Sequence, residues 1–196
     1  MRLWLIRHPL PAVAPGICYG ATDLPLADDP ALHAAALAPL LPTGVPIYSS
    51  PLQRCLRLAE HLHPAPIVDG RIREIDFGAW EMQPWEALDR RLLDAWAADP
   101  FHFQPPGGES VAALRARVAA FLASLPEEAV LITHAGVIKV CAAELAGETG
   151  WVGLRFDYGS LTLIANGVQQ AVWPPRDARN SAAHDRCRNP TGPSPR

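Results

Sequence analysis

Two histidines directly follow apolar stretches that lie far apart in this sequence, and together they could do chemistry. The run "RLWLI" (2–6) leads through Arg7 into His8, and the run "AVLIT" (129–133) leads into His134. A neutral imidazole can attack phosphorus and hold it covalently, and a guanidinium group binds the charged oxygens of a phosphoryl group through parallel hydrogen bonds. These residue types therefore indicate phosphate chemistry, provided that the fold brings them together.

A second arginine, Arg54, lies in a stretch with the start signals of a helix. In "SPLQRCLRLAEHL" (50–62), Ser50 is predicted as the N-cap, Pro51 as the first helical residue and Gln53 as the reciprocal partner of a capping box. The N-terminus of a helix carries a partial positive charge, which attracts anions. Arg54, in the first turn of this helix, is therefore a further candidate phosphate ligand.

The rest of the chain alternates strand-like and helix-like segments. Apolar runs without turn residues predict buried strands, and apolar residues at steps of three and four predict helices. Asn166-Gly167 between two strand-like runs predicts a tight hairpin. The pattern favours an α/β fold, a three-layer α/β/α sandwich with a mostly parallel sheet and an antiparallel C-terminal hairpin. The predicted strands are 2–6, 45–50, 129–133 and the two halves of 160–173, and the predicted helices are 28–41, 50–62, 84–99, 110–125 and 136–147.

This fold class predicts where the candidate residues meet. In an open parallel sheet, ligands bind outside the carboxyl ends of the strands. If the strands before His8, His134 and the Arg54 helix are parallel neighbours, two histidines and two arginines converge on one spot. The neighbouring guanidinium groups should then lower the pKa of His8, so that one ring nitrogen stays unprotonated near neutral pH.

Composition limits the class of protein. The 196 residues are 49% hydrophobic and 19% charged, which suits one globular domain, and a tail rich in Pro, Arg and Asn follows it. We expect a domain at 1–175 and a flexible tail at 176–196. A net charge of −3 gives no case for nucleic acid, and no apolar run reaches the roughly 18 residues that a membrane span needs. Four cysteines without a paired motif, and no signal peptide, predict a reduced, cytoplasmic protein.

Several motifs in this order resemble the histidine phosphatase superfamily, whose fold is phosphoglycerate-mutase-like. They are Arg7-His8, "YSSPLQRCLRLA", "EIDFGAWE", "PGGES" and "ITHAG", and the match spans roughly residues 1–145. The combination of "SSPLQR" with "THAG" is specific, whereas "RH" alone is weak. The opening "RLWLIRH" and the segment "FGAWEM" look most like the α-ribazole phosphatase branch, which serves cobalamin synthesis.

The resemblance implies a role for each candidate residue. His8 is implied to be phosphorylated, Arg7, Arg54 and His134 to bind the phosphate of the substrate, and Glu81 to be the proton donor. The implied activity is hydrolysis of a small phosphorylated metabolite, with α-ribazole 5′-phosphate as one candidate substrate. This chemistry uses side chains alone, and no HExxH or comparable histidine pattern suggests a metal, so we expect neither a metal nor a cofactor.

The proton donor can also be argued from the residues themselves. The candidates in one stretch are Glu74, Asp76 and Glu81. An acid that protonates a leaving oxygen needs a pKa raised by partial burial. Glu81 follows the apolar "FGAW", whereas Glu74, close to Arg71 and Arg73, is more simply explained as an ion-paired structural residue. This argument also favours Glu81.

One departure from the family pattern affects the expected function. The family usually continues Arg-His-Gly-Glu, but here the chain reads Arg7-His8-Pro9-Leu10-Pro11, and Pro9 lacks a backbone N–H that could bind a ligand. Two alternatives to the phosphatase therefore stay open. One is a mutase of the same fold, which the short stretch between Glu81 and "PGGES" disfavours because it leaves little material for an extra cap. The other is a non-catalytic phosphate-binding module.

Overall fold

A computed structural model of the chain describes residues 1–149, 151 and 153–173, so the predicted tail at 176–196 lies outside the described residues. Strands and helices alternate along most of the chain, as the sequence predicts. The elements are β1 (Arg2–Arg7), α1 (Pro30–Leu37), β2 (Ile47–Ser49), α2 (Gln53–Leu62), β3 (Ile67–Val68), α3 (Arg90–Ala98), α4 (Val111–Leu122), β4 (Glu128–Thr133), α5 (Ala135–Ala146), β5 (Leu161–Ala165) and β6 (Val168–Trp173).

The six strands form one sheet in the order β3-β2-β4-β1-β5-β6. β3, β2, β4 and β1 pair in parallel, and β5 pairs antiparallel with both β1 and β6. Asn166 and Gly167 form the turn between β5 and β6, both with positive φ, as predicted for this dipeptide. The predicted fold class is therefore confirmed, although the two-residue β3 was not predicted.

The alternation of side chains along the strands explains the three layers. Leu3 and Leu5 of β1 belong to a core cluster with α4 and α5, whereas Trp4 and Ile6 belong to a cluster with α1 and α2. Because both faces of β1 and β4 are covered, these strands read as continuous apolar runs rather than alternating ones.

Two predicted helices are shorter in the structure, for local reasons. The helix predicted at 28–41 ends at Leu37 and continues as a 3-10 turn at Ala38–Leu40, where Pro39 has no N–H to donate to the preceding turn. The helix predicted at 84–99 begins only at Arg90, because the Asp89 side chain caps it by accepting a bond from Arg91 N. A 3-10 turn at Trp85–Ala87 precedes it.

Residues 77–103 build a small aromatic core of their own beside the sheet. Trp80 and Trp96 pack edge to face, Trp80 stacks on Phe103, and Trp85 stacks on Trp96. Backbone bonds between Cys18 and the 82–83 segment join this core to the loop that follows His8. The aromatic core thus fixes the position of that loop.

Among the described residues, no helix combines the length and apolar character that crossing a membrane requires.

Candidate active site

The two histidines of the apolar runs meet at the carboxyl edge of the sheet, as predicted. β1 and β4 are parallel neighbours with Arg7 opposite Thr133, so His8 and His134 emerge side by side. Their ring centroids lie 5.0 Å apart in an edge-to-face arrangement. The side chains are almost entirely buried, with His8 2% and His134 0% exposed.

The backbone fixes the tautomer of His8. Its Nδ1 lies 2.7 Å from the carbonyl oxygen of Pro9, and because a carbonyl can only accept, Nδ1 must carry the proton. Burial, followed by the charges of Arg7 and Arg54, holds the pKa of His8 well below its usual value. The imidazole is therefore neutral, and its Nε2 keeps a free lone pair for attack on an electrophile.

Arg7 is held against the loop that precedes β5. Its Nη1 donates to the carbonyl of Phe156 at 2.6 Å, and its guanidinium lies 3.7 Å from the ring centre of Tyr158. Its Nε is buried and has no hydrogen-bond partner among the described residues. The guanidinium is thus held at Nη1 and on one face of its plane, while the buried Nε–H donor remains available.

Arg54 is fully buried, which is rare for an arginine. Its Nη1 donates to the carbonyl of Thr22 at 2.7 Å and its Nη2 to the carbonyl of Gly20. Neutral carbonyls leave its charge uncompensated, and its buried Nε, like that of Arg7, has no partner in the described part of the chain. Two uncompensated cations with free N–H donors beside a neutral imidazole form a site for an anion.

The capping box predicted for α2 is wrong, because Ser50 is not the N-cap of this helix. Its hydroxyl contacts a histidine of the site instead. The helix begins at Gln53, whose N–H donates to Oδ1 of Asp23 at 2.7 Å, and its N-cap Leu52 offers no side-chain acceptor. The hydroxyl of Ser50 lies 2.8 Å from Nε2 of His134. Ser50 thus positions His134, while Asp23 from a distant loop binds the first N–H of the helix.

Two tyrosines form the outer part of the site. The hydroxyls of Tyr19 and Tyr158 lie 2.5 Å apart, which joins the loop after His8 to the loop before β5. The Tyr19 ring lies 5.6 Å from the guanidinium of Arg54, and the Tyr158 ring lies 5.6 Å from the His8 ring. Sequence reasoning missed both residues, because neither belongs to a motif.

Glu81 is engaged with the backbone of the loop after His8. Its carboxylate accepts bonds from Ala21 N at 2.7 Å, Thr22 N at 2.6 Å, Phe77 N at 3.0 Å and the Thr22 hydroxyl. Within the described residues, it has no hydrogen bond to either histidine or either arginine of the site. The role of proton donor predicted for Glu81 is not tested by these contacts, which show a residue that holds a loop.

The Glu74 carboxylate binds the start of the helix that follows His134. The expected ion pairs with Arg71 and Arg73 are wrong, because Arg71 pairs with Asp69. Oε2 of Glu74 instead accepts a bond from Gly136 N at 3.2 Å, two residues after His134 at the start of α5.

Gly136 marks this contact in the sequence. A Cβ at Gly136 would lie only 2.3 Å from Oε1 of Glu74, so this close approach requires a glycine. The glycine of "THAG" is therefore the signal that could have found Glu74.

Among residues 1–149, 151 and 153–173, no group of three or more His, Cys, Asp or Glu side chains is arranged to hold a metal ion.

Comparisons with known proteins agree with this geometry. The model of the histidine phosphatase superfamily (branch 1) matches residues 3–172. A curated protein of Hydrogenobacter thermophilus named "Putative phosphoserine phosphatase 2" is 29% identical over 180 residues, covering 83% of this chain and 88% of that protein.

Solved structures give the same result. The crystal structure of a phosphoglycerate mutase from Thermus thermophilus is 38% identical with a TM-score of 0.69, and the match covers 90% of this chain and 95% of that one. The structure of a "putative alpha-ribazole-5'-P phosphatase" from Escherichia coli is 26% identical with a TM-score of 0.75, covering 88% of this chain and 94% of that one. The chain therefore belongs to branch 1 of the histidine phosphatase superfamily and is one of its enzymes.

Proposed function

We propose that this enzyme is a metal-independent phosphomonoesterase that works through a phosphohistidine at His8. Nε2 of His8 attacks phosphorus while the bond to the leaving oxygen breaks, and that oxygen takes a proton from a carboxylic acid. Water then attacks the phosphohistidine, its proton passes to the carboxylate, and inorganic phosphate leaves. Arg7, Arg54 and His134 bind the phosphoryl oxygens, whose charge they offset.

The observation that carries this proposal is the state of His8 between two arginines. The bond from Nδ1 to the Pro9 carbonyl leaves the Nε2 lone pair free, and the orphaned Nε donors of Arg7 and Arg54 are ready to bind an oxyanion. The non-catalytic alternative depended on the N–H missing at Pro9. Since the Pro9 carbonyl serves the nucleophile, that substitution no longer argues against catalysis.

For the proton donor, the geometry favours Glu74 over Glu81. The Glu74 carboxylate lies at the start of α5 beside His134. The Glu81 carboxylate accepts from four donors, three in the loop at 21–22 and one at Phe77 N, whereas the Glu74 carboxylate accepts from two, Gly136 N and Ile75 N. We therefore propose Glu74 as the general acid and keep Glu81 as the competing assignment, which the dependence of the rate on the leaving group distinguishes.

The substrate is proposed to be a small phosphorylated metabolite. The likeness of the chain to the "putative alpha-ribazole-5'-P phosphatase" supports α-ribazole 5′-phosphate in cobalamin synthesis, and the name of the Hydrogenobacter relative adds phosphoserine as a candidate. The mutase structure makes phosphoglycerate isomerisation the second candidate activity. A screen of these three phosphates for phosphate release, with 3-phosphoglycerate also assayed for isomerisation, separates hydrolase from mutase.

The intermediate itself can be tested by rapid quench with a labelled phosphate ester. The protein should retain an acid-labile, base-stable label, and His8→Ala should lose both the label and at least about 10³-fold in turnover, because the nucleophile is removed. An active His8→Ala enzyme would contradict the proposed mechanism.

A further inference from the structure

The Glu81 carboxylate and the Arg54 guanidinium bind opposite ends of one peptide group. The N–H of Ala21 donates to Oε1 of Glu81 at 2.7 Å, and the carbonyl of Gly20 accepts a bond from Nη2 of Arg54. These two atoms belong to the same planar peptide unit, in which N–H and C=O point in opposite directions. The peptide thus lies between an anion and a cation that polarise it in the same sense.

Thr22 also lies between these two side chains, although its N–H and its carbonyl belong to two different peptide groups. Its N–H and its hydroxyl both donate to Oε2 of Glu81, while its carbonyl accepts a bond from Nη1 of Arg54 at 2.7 Å. Both terminal nitrogens of Arg54 are therefore bound to a segment that Glu81 holds from the other side. These two hydrogen bonds orient the guanidinium of Arg54, which has no salt bridge among the described residues.

The segment is also packed too closely to move freely. A Cβ at Gly20 would lie 1.9 Å from the carbonyl oxygen of Ile75, so the loop lies directly against the chain that leads to Glu81. Phe77 N donates to Glu81 Oε1 at 3.0 Å, which ties the same carboxylate to that chain. The two carbonyls that bind Arg54 are consequently held in place by the hydrogen bonds of Glu81 together with this backbone packing.

We infer that Glu81 is a positioning residue for Arg54, acting through the peptide group between Gly20 and Ala21 without touching the substrate. This inference rests on the proposed function, in which Arg54 binds the phosphoryl group. Glu81 holds the carbonyls that orient the guanidinium, so the Nε donor of Arg54 is fixed before the anion arrives. Such preorganisation strengthens binding of the anion because no reorganisation accompanies it.

The test is equilibrium binding of vanadate, followed by tryptophan fluorescence, to the full-length protein. In Glu81→Gln an NH₂ group replaces one acceptor and faces N–H donors, so the loop should shift and the Kd for vanadate should rise by about tenfold or more. Arg54→Ala should weaken binding as well. In the Arg54→Ala background, Glu81→Gln should have no further effect, because the residue through which it acts is absent.

Glu109→Gln is the matched control. The Glu109 carboxylate binds Arg117 and Asp76 N and, among the described residues, has no hydrogen bond to Arg54 or to the loop at 20–22. This variant should lose stability and keep the Kd for vanadate within about twofold. Should Glu81→Gln not fold, Thr22→Val removes one of the four donors and should raise the Kd by about two- to threefold.

Three results would overturn the inference. One is an equal effect of Glu81→Gln with and without Arg54. Another is a selective loss of alkyl phosphate turnover over nitrophenyl phosphate turnover in Glu81→Gln, which would make Glu81 the proton donor. A wild-type protein that neither binds vanadate nor hydrolyses a phosphomonoester would overturn the proposed function, and with it the role of Arg54.

Discussion

The carbonyl oxygen of Pro9 accepts a hydrogen bond from Nδ1 of His8 at 2.7 Å. Pro9 is also the first residue at which this chain departs from the usual Arg-His-Gly-Glu pattern. A proline lacks the N–H of a glycine but keeps the carbonyl. The group that sets the tautomer of the nucleophile is thus present in either residue, and the substitution leaves the chemistry of His8 intact.

Pro9→Gly should therefore remain an active enzyme. We expect kcat/KM to stay within about threefold of the wild type, since less than about 1 kcal/mol of the barrier is affected. The free energy of unfolding should fall by about 0.4–1 kcal/mol, because glycine gives the unfolded chain more freedom. Steady-state kinetics and urea unfolding measure both. A loss of activity beyond about 30-fold would mean that the proline ring itself positions His8.

Glu74→Gln should slow hydrolysis in a way that depends on the leaving group. Glutamine keeps the size of the side chain but cannot donate a proton at neutral pH, so alkyl phosphates should react about 10²–10⁴-fold more slowly. Nitrophenolate leaves without protonation, so phosphorylation of His8 by nitrophenyl phosphate should change far less. Asp76→Asn, whose native carboxylate binds Gly78 N, should show no such selectivity. Equal losses for both substrates in Glu74→Gln would exclude Glu74 as the acid.

The stability of the enzyme should fall in mild acid. Burial and the charge of Arg7 keep the pKa of His8 well below 6.5, and burial and the charge of Arg54 do the same for His134. Below about pH 6.5 the unfolded chain therefore binds protons that the folded chain does not. The free energy of unfolding should drop by up to about 1.4 kcal/mol per pH unit for each histidine as the pH falls.

Urea unfolding between pH 7.5 and 5.5, in buffer without phosphate, measures this slope. His8→Gln removes one of the two titrating groups, so its slope should be smaller than that of the wild type. An unchanged slope in His8→Gln would show that the pKa of His8 does not differ between the folded and the unfolded chain.

Chelation should leave the activity unchanged, because the proposed charge stabilisation comes from Arg7, Arg54 and His134 alone. Dialysis against EDTA should therefore preserve the rate of phosphate release. Vanadate, which can adopt the five-coordinate geometry of the transferring phosphoryl group, should inhibit. Loss of activity in EDTA followed by recovery with a divalent ion would replace this mechanism with a metal-assisted one.

The sequence by itself determined the layer architecture and the meeting place of four side chains. Continuous apolar runs mark β1 and β4 as strands buried on both faces, and parallel strands end at the same edge of a sheet. It follows that His8, next to Arg7, and His134 lie together, and that the helix after β2 carries Arg54 to them. Local rules suffice here because each of the four residues lies within, or directly after, the strand or helix that positions it.

Only the tertiary structure decided which groups surround these four residues. Asp23 binds the start of α2 from 30 residues away, Ser50 contacts His134 across 84 positions, and Glu74 bonds to Gly136 across 62. A capping signal at Ser50 is valid locally, but burial of His134 gives its hydroxyl a partner that local rules do not include. Polar partners inside a fold are chosen by which unsatisfied groups end up adjacent, and adjacency over such separations is a property of the packed chain.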